Sequence, residues 1–137
     1  MVNSLLAFSF CCLSVLPSVA PWLVVSVADY GAVGDNETDN SQAFLKATAA
    51  VSAAGGGEVI VPALPAPAIF KTGPFNLTSN VVFTVAGTVF GLENASAYPV
   101  VPTPPSYLST FPATRFHPLV WAPNATNVTI RGSGELK

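Results

Sequence analysis

The chain has 137 residues, enough for one domain, and few of them are charged. Half of the residues are hydrophobic, 9% are charged, and the formal net charge is −2. This composition excludes a basic nucleic-acid-binding surface and a long, solvated, charged helix. We therefore expect no nucleic-acid partner.

An apolar segment opens the chain, and no Lys, Arg, Asp or Glu precedes Asp29. Its core, residues 5–16, has the length of the apolar part of a secretory signal peptide, although a basic residue before it is missing. Ser18, Val19 and Ala20 supply the small residues of a cleavage site. The segment predicts a signal peptide over residues 1–20 and a secreted, extracellular mature chain.

Two other interpretations of this segment stay open. Cleavage after Ala28 would remove the β-branched residues of segment 24–27, which we expect to form the first strand. A transmembrane anchor would need ~20 uninterrupted apolar residues, whereas Pro17 and Pro21 interrupt this run. We expect no membrane contact after the signal peptide is cleaved.

Sequons for N-linked glycosylation are frequent after residue 20. The motif Asn-x-Ser/Thr occurs five times, where composition alone would give about one or two. This excess favours a secreted glycoprotein, and it has no predicted disulfide because Cys11 and Cys12 precede the cleavage site. Two of the sites lie too close together for comfortable double occupancy. The predicted glycosylation sites are Asn36, Asn76, Asn94, Asn124 and Asn127.

The acidic stretch from Tyr30 to Phe44, YGAVGDNETDNSQAF, has the spacing of a binding loop. Its acids alternate as the first three ligands of an EF-hand would, but Asn40 and Lys46 occupy the positions of the required Gly and Glu. The Gly-Lys-Ser/Thr or third glycine of a phosphate-binding loop is also missing. We predict no metal and no cofactor, and interpret the stretch as the entry to a helix.

One short helix is predicted after this stretch. Asp39 and Gln42 have the spacing of a capping box. Phe44, Ala47, Thr48 and Val51 recur at i, i+3, i+4 and i+7, which indicates a buried helix face. Gly55 supplies a left-handed stop, and a strand over residues 58–61 follows.

The remainder is rich in short β-type runs separated by Gly, Pro and Asn, namely AIFKT, VVFTV, TVFG, PLVW and VTIRG. Two longer segments resemble each other, residues 80–90 and residues 127–137, and each follows a Pro-apolar segment, Pro74–Leu77 or Pro118–Trp121. Their alignment matches Val81 with Val128, Phe83 with Ile130, Gly87 with Gly134, and Val89 with Leu136.

A spacing of 47 residues is longer than one solenoid coil, and the proline-rich stretch from Glu93 to His117 has the character of an insertion. Solenoid units bury their apolar faces against neighbours, so two repeats predict the start of a stack. We expect the last strands to expose an edge and an apolar interior. Expressed alone, the chain is expected to aggregate or to melt non-cooperatively.

At this point the sequence resembles a known family. The segments DYGAVGDNETDNSQAF, AAGGGEVIVPA, KTGPFNLTSNVVFTVAGTVFG, AYPVVPTPPSY and FHPLVWAPNATNVTIRGSGELK are similar, in this order, to the amino-terminal region of polygalacturonases. The resemblance implies an all-β fold, a right-handed parallel β-helix with one short capping α-helix. It also implies that residues 21–137 are the amino-terminal portion of a pectin-lyase-like domain, incomplete at its carboxyl end.

The family hydrolyses α-1,4-galacturonan with inversion, so the resemblance implies that pectic polysaccharide is the partner of the complete protein. Inversion needs carboxyl groups ~6.5 to 9.5 Å apart. The family's signatures Asn-Thr-Asp, Asp-Asp, Gly-His-Gly and Arg-Ile-Lys are missing from this sequence, and Gly134–Lys137 replaces a usual Gly-Thr-Ile-Asp-Gly. We assign no catalytic residue and expect this chain alone to be inactive.

His117, the only histidine, is interpreted as a loop or strand-edge residue, with substrate contact as the alternative. A non-catalytic polysaccharide-binding or structural β-helix glycoprotein is the alternative function. A rhamnogalacturonase, a xylogalacturonan hydrolase or a pectate lyase would keep the fold. The aromatic residues that could stack on sugars, although packing of the loop onto the body is favoured, are Tyr98, Tyr107, Phe111, Phe116 and Trp121.

Overall fold

The computed structural model describes residues 21–102 and 114–137. The predicted signal peptide with Cys11 and Cys12, and the aromatic residues Tyr107 and Phe111, lie outside the described residues. The elements in the described ranges are β1 (Leu23–Ser26), β2 (Asp35–Asp39), α1 (Ser41–Ala53), β3 (Gly57–Val61), β4 (Ile69–Thr72), β5 (Phe75–Asn76), β6 (Val81–Val85), β7 (Thr88–Gly91), β8 (Val100–Pro102), β9 (Thr114–Phe116), β10 (Val120–Trp121), β11 (Val128–Arg131) and β12 (Glu135–Leu136).

The strands stack as successive coils of a parallel β-helix. The first sheet has the order β1-β3-β6-β11, the second has the order β2-β4-β7-β12, and the third pairs β5 with β10. Every pairing within these three sheets is parallel. Strands β5, β6 and β7 therefore form one coil, and β10, β11 and β12 form the coil stacked on it.

The register of the two coils confirms the repeat predicted from the sequence. Val128 pairs with Val81 and Ile130 with Phe83 in the first sheet. Leu136 pairs with Val89 in the second sheet. Because like residues repeat on the inward face of each strand, coil after coil contributes to one continuous apolar interior.

Aromatic side chains fill the centre of this interior. The ring centroid of Phe75 lies 5.3 Å from that of Phe44 and 5.3 Å from that of Phe83, at tilted angles typical of stable aromatic pairs. Phe44 and Phe83 are completely buried. One ring comes from α1, one from the third sheet and one from the first sheet, so this cluster joins the helix to the coils.

Helix α1 confirms the prediction of a short capping helix. The predicted face is buried, and the hydroxyl of Thr48 donates to the carbonyl oxygen of Phe44 at 2.9 Å. The helix lies between β2 and β3 in the chain, the place that β5 takes in the next coil, and it packs against β1, β3 and β5. It ends as predicted, with Gly55 at φ 82° and its N–H bonded to the carbonyl oxygen of Ser52.

The capping box predicted from Asp39 and Gln42 is wrong. The residue before α1 is Asn40, whose side chain makes no capping bond and instead accepts from the N–H of Val33 at 2.7 Å. Asp39 accepts from the N–H of Ser41 at 2.9 Å. The side chain of Asn40 is needed to hold the preceding turn, so its neighbour takes over the capping of the helix.

The interpretation of residues 35–39 as only a helix entry missed strand β2. This strand pairs with β4, matching Asp35 with Ile69 and Asp39 with Lys71 across a register irregularity. All five of its residues are exposed. A strand at the edge of a sheet with no buried face lacks the apolar alternation by which strands are recognised in a sequence.

The proline-rich stretch between the two coils contains a pair of antiparallel strands, which we call the hairpin. Strands β8 and β9 pair antiparallel, and Val100 lies opposite Phe116. The two strands are outside the three parallel sheets. The prediction of an insertion between coils agrees with this arrangement, whereas the pairing of its ends was not predicted.

Apolar side chains of the last described coil are partly exposed. Ile130 is 50% exposed and Leu136 is 44% exposed, whereas their partners Phe83 and Val89 in the coil below are completely buried. Within residues 21–102 and 114–137, no helix has the length and apolar character needed to span a bilayer.

Candidate functional site

The hairpin and the third sheet together form an aromatic surface, which we define as Tyr98, Phe116, His117 and Trp121. The imidazole of His117 packs edge-on against the indole of Trp121, with ring centroids 4.6 Å apart at 77°. Its Nδ1 lies 2.7 Å from the carbonyl oxygen of Pro118, which makes this nitrogen the N–H donor. Both contacts hold the ring against the coil, so His117 is a strand-edge residue that fastens the hairpin.

Tyr98 anchors the other side of the hairpin. A Cβ added at Gly91 would lie 2.7 Å from the Tyr98 hydroxyl oxygen, so the phenol fits only because that position is glycine. Burial raises the pKa of the Tyr98 hydroxyl above its ordinary value, while a backbone hydrogen bond with Leu92 acts in the opposite direction. Tyr98 is thus half-buried and packs the hairpin onto the second sheet.

One residue of the aromatic surface remains open to solvent. Phe116 is 59% exposed, and its cross-strand partner Val100 is 60% exposed. Of the four residues of the aromatic surface, three pack the hairpin onto the body, and Phe116 is the one whose ring is mainly available for a ligand. The expectation that these residues mainly pack the loop agrees with this distribution.

The described aspartates hold local turns. Asp29 accepts from the N–H of Ser26 at 3.1 Å, and together they form a capping box around the 3₁₀ turn Val27–Tyr30. Asp35 accepts from Thr38 Oγ1 at 2.6 Å and from the Thr38 N–H at 2.8 Å. The Thr38 hydroxyl above all, aided by backbone N–H groups, lowers the pKa of Asp35 to about 2. These carboxylates stabilise turns with their oxygens.

The acidic stretch does not converge into a metal site. Asp35 and Asp39 direct their oxygens to neighbouring backbone and hydroxyl groups of their own turns. In the part of the chain that the structure describes, no three His, Cys, Asp or Glu side chains group closely enough to hold a metal ion.

A polar ladder, which was not predicted from the sequence, crosses the outer face of the first sheet. Glu58 Oε1 accepts from Thr84 Oγ1 at 2.5 Å and from Arg131 Nη2 at 2.9 Å. Arg131 Nε also donates to Thr84 Oγ1 at 3.1 Å. The hydrogen bond from Thr84, followed by that from Arg131, lowers the pKa of Glu58. One ion pair therefore bridges strands from three successive coils.

The predicted glycosylation sites lie on the surface of the fold. All five asparagines are exposed. Asn94 accepts from the N–H of Ser96 within its own turn at 3.0 Å, and Asn127 donates to Asn80 Oδ1 at 3.0 Å. Asn76 lies beside a groove along α1.

Probable polygalacturonases are among the known proteins similar to this chain. The chain is 32% identical to a probable polygalacturonase of Vitis vinifera over 114 residues, which is 78% of this chain and 22% of that protein. It is 58% identical to a probable polygalacturonase of Arabidopsis thaliana over 40 residues, 28% of this chain and 9% of that protein. The chain thus spans less than a quarter of these curated relatives. No family model matches it.

Solved structures agree with the sequence matches. The hyperthermoactive exopolygalacturonase of Thermotoga maritima superposes with a TM-score of 0.73 and 38% identity, over 85% of this chain and 25% of that chain. The family 28 exopolygalacturonase of Yersinia enterocolitica gives 0.67 over 84% of this chain and 20% of that chain; its 24% identity supports the fold alone. The predicted right-handed parallel β-helix and the resemblance to polygalacturonases are confirmed.

Proposed function

We propose that this polygalacturonase-like chain is the amino-terminal part of a secreted glycoside hydrolase that cleaves α-1,4-galacturonosyl linkages of pectin. One observation carries the proposal: 38% identity and a TM-score of 0.73 to an exopolygalacturonase over 85% of this chain. Likeness in sequence and in fold over the same region is more specific than the fold alone, because one fold hosts many activities.

The chemistry of the reaction requires residues that this chain does not contain. Inverting hydrolysis uses a general acid and a general base on opposite sides of the bond, with a water between them. The described aspartates stabilise local turns, and the catalytic signatures of polygalacturonases do not occur in the sequence. We infer that coils outside this chain supply the catalytic carboxylates.

The exposed end of the stack is consistent with further coils. Ile130 and Leu136 point toward the interior in register with fully buried partners, yet each is about half exposed. A further coil would bury both and would pair with the edges of β11 and β12 that have no partner strand within residues 21–102 and 114–137. The matched region is 22% of the Vitis vinifera relative, which leaves most of that relative's length for such coils.

Secretion and glycosylation are part of the proposal. Sequons recur five times, and every one of their asparagines is exposed in the fold. Exposed sequons are acceptors only in proteins that enter the secretory pathway. The amino-terminal segment over residues 1–20 has the apolar core and the small residues of a signal peptide.

The hairpin of β8 and β9 is proposed to form one wall of the substrate cleft in the complete protein. It projects outside the parallel sheets and exposes Val100 and Phe116. Its removal from the complete enzyme is expected to weaken substrate affinity more than it lowers thermal stability, because the coils keep their own interior without it. If the deletion lowered the free energy of unfolding as much as it lowered the free energy of substrate binding inferred from KM, this role would be contradicted.

The proposal is tested by the transcript from which this chain is translated. We expect the reading frame to continue and to encode further coils that contain paired aspartates and a Gly-His-Gly sequence. If no frame of the downstream sequence contains those signatures, the assignment as a hydrolase is refuted. The same sequencing shows whether a complete catalytic half exists before any protein is made.

A second function is favoured by the exposed ring of Phe116 and by the lack of catalytic signatures. In this alternative, the chain is a secreted glycoprotein that binds polysaccharide without cleaving it. Titration with oligogalacturonates, followed by tryptophan fluorescence in a Trp22→Phe variant, leaves Trp121 as the reporter beside the hairpin. Saturable quenching that Phe116→Ala abolishes would support binding by this chain alone, and an unchanged signal would exclude it at that surface.

A further inference from the structure

A groove runs between α1 and the segment from Asn76, the last residue of β5, to Thr78. It has a volume of about 220 Å³. The helix contributes Leu45, Ala49 and Ser52, which recur at i, i+4 and i+7 and so lie along one stripe of α1. The complete lining is Leu45, Thr48, Ala49, Ser52, Asn76 and Thr78.

The opposite wall of the groove is a glycosylation sequon. Asn76, Leu77 and Thr78 are the three residues of one Asn-x-Thr motif. Leu77 is only 1% exposed, while the side chains on either side of it are exposed, as alternation along an extended segment requires. Both residues that define the acceptor motif, Asn76 and Thr78, therefore line the groove.

The helix wall has the surface that a sugar ring needs. Leu45 is 42% exposed, a large value for a leucine beside a packed core. Together with Ala49 it offers an apolar strip to the carbon-bound hydrogens of a pyranose. Ser52 adds a hydroxyl that can exchange hydrogen bonds with the polar edge of the ring. The helix wall thus combines an apolar strip with one hydroxyl group.

We propose that Asn76 carries an N-linked glycan whose first N-acetylglucosamine lies in this groove and fastens α1 to the third sheet. The inference rests on the proposed secretion. In the transfer, Asn76 Nδ2 forms a bond with C1 of the sugar, the bond from C1 to the diphosphate of a lipid-linked donor breaks, and the amide loses one proton to a base of the transferase. The product buries Leu45 without any change in the protein backbone.

Asn94 provides a matched comparison. It is also an exposed sequon asparagine, but its Oδ1 accepts from both the N–H and the hydroxyl of Ser96 within a short 3₁₀ turn. It does not belong to the lining of the groove. A glycan at Asn94 would add bulk and solubility without a helix beside it, so it reports what glycosylation does in general.

The test uses the full chain secreted from plant cells, with its glycans trimmed to a single N-acetylglucosamine. Glycopeptide mass spectrometry gives the occupancy of each sequon, and hydrogen exchange follows residues 45–52. We expect Asn76 to be occupied, and exchange in this segment to be at least about twofold faster in Asn76→Gln than in the parent or in Asn94→Gln. If Asn76 is glycosylated in the parent and the segment exchanges equally fast in Asn76→Gln and in Asn94→Gln, the proposal is overturned.

A double substitution keeps the proposal testable if Asn76→Gln folds poorly. Leu45→Ser should accelerate exchange of the segment in the glycosylated chain, and should add little in a Thr78→Val background, which removes the acceptor motif while Asn76 is kept. If the effects of Leu45→Ser and of the loss of the sugar on the exchange rate simply add, the sugar and the leucine do not touch. If Asn76 carries no glycan while Asn94 carries one, this inference alone is overturned. If none of the five sequons of the secreted chain carries a glycan, the proposed glycosylation is refuted as well.

Discussion

The side-chain amide of Asn127 donates a hydrogen bond to Oδ1 of Asn80 at a distance of 3.0 Å, although 47 residues separate the two in the chain. Both have positive φ, 57° and 61°, and each directly precedes a strand of the first sheet. The two asparagines therefore occupy the same place in successive coils. Their bond joins the corners of the coils and fixes the register of β11 on β6.

The left-handed corner at Asn80 gives the first prediction. Asn80→Ala and Asn80→Gly both lose the bond to Asn127, but alanine also meets steric strain at positive φ that glycine does not. We expect the alanine variant to be less stable than the glycine variant by about 1 kcal/mol in free energy of unfolding. Urea titration of both proteins measures the difference. The reverse order would show that the left-handed conformation is not retained.

The aromatic cluster gives the second prediction. Phe83 is completely buried and packs at a tilted angle against Phe75, so Phe83→Ala leaves a cavity between the first and third sheets. We expect a loss of about 3–5 kcal/mol in the free energy of unfolding. Phe116→Ala, at a position 59% exposed, is the control and should change stability by less than about 0.5 kcal/mol. Similar losses of unfolding free energy in the two variants would show that Phe83 is not part of the hydrophobic core.

The polar ladder gives the third prediction. Hydrogen bonds from Thr84 and Arg131 hold the pKa of Glu58 in the folded chain below its ordinary value of 4.5. The stability from this group is complete above that ordinary value and is lost as the pH falls through the lower, folded pKa. Glu58→Gln should remove this loss of stability at low pH. Because Arg131 is largely exposed and salt screens the pair, we expect an effect below about 1 kcal/mol.

Unfolding curves of the parent and of Glu58→Gln at several pH values between about 3 and 7 measure the effect. Arg131→Met keeps most of the side-chain length and removes the charge, so it should weaken the pH dependence without abolishing it, because the hydrogen bond from Thr84 is the larger cause. A parent whose pH dependence is unchanged by either substitution would show that the ladder does not form in solution.

The exposed end of the stack gives the fourth prediction. Among the described residues, strand β11 ends the first sheet, and it presents Ile130, which is 50% exposed, at this edge. The chain expressed alone is expected to self-associate through this edge, and Ile130→Lys should reduce the association, because an inward-pointing lysine on an edge strand opposes pairing. Sedimentation velocity follows the species present. Thr129→Lys, which places the same charge on the outer face of β11, should leave more self-association than Ile130→Lys does.

The sequence predicted those parts of the fold in which burial and periodicity coincide. Phe83 and Ile130 could be matched because both strands alternate apolar and polar residues, and α1 could be recognised from Phe44 to Val51. Strand β2 was missed because every residue in it is exposed. Its pairing with β4 depends on backbone hydrogen bonds, which leave no pattern in side-chain hydrophobicity.

Contacts between polar side chains on different coils were also not predictable. Glu58 and Arg131 are 73 residues apart, and only the three-dimensional register of the first sheet brings them together. Asn40 misled the capping prediction for a similar reason, since its partner Val33 belongs to the preceding turn. The groove beside Asn76 likewise depends on how α1 packs against the third sheet, although the sequon itself was evident.

That this chain holds no catalytic residue stays a prediction, and it rests on signature motifs, which are local and can be searched for directly in the sequence. Aspartate and histidine are few enough that each could be weighed alone, and the structure gives Asp29, Asp35 and His117 local contacts. These contacts agree with roles in turns and in fastening the hairpin.

The central functional claim is that this chain supplies coils of a pectin-degrading hydrolase whose catalytic carboxylates lie outside it. The most direct test is the release of reducing ends from polygalacturonic acid, measured for the 137-residue chain and for the polypeptide encoded by the complete transcript. We predict activity at the level of the blank for the chain and clear hydrolysis by the complete polypeptide. Hydrolysis of polygalacturonic acid by the purified chain alone would contradict the account.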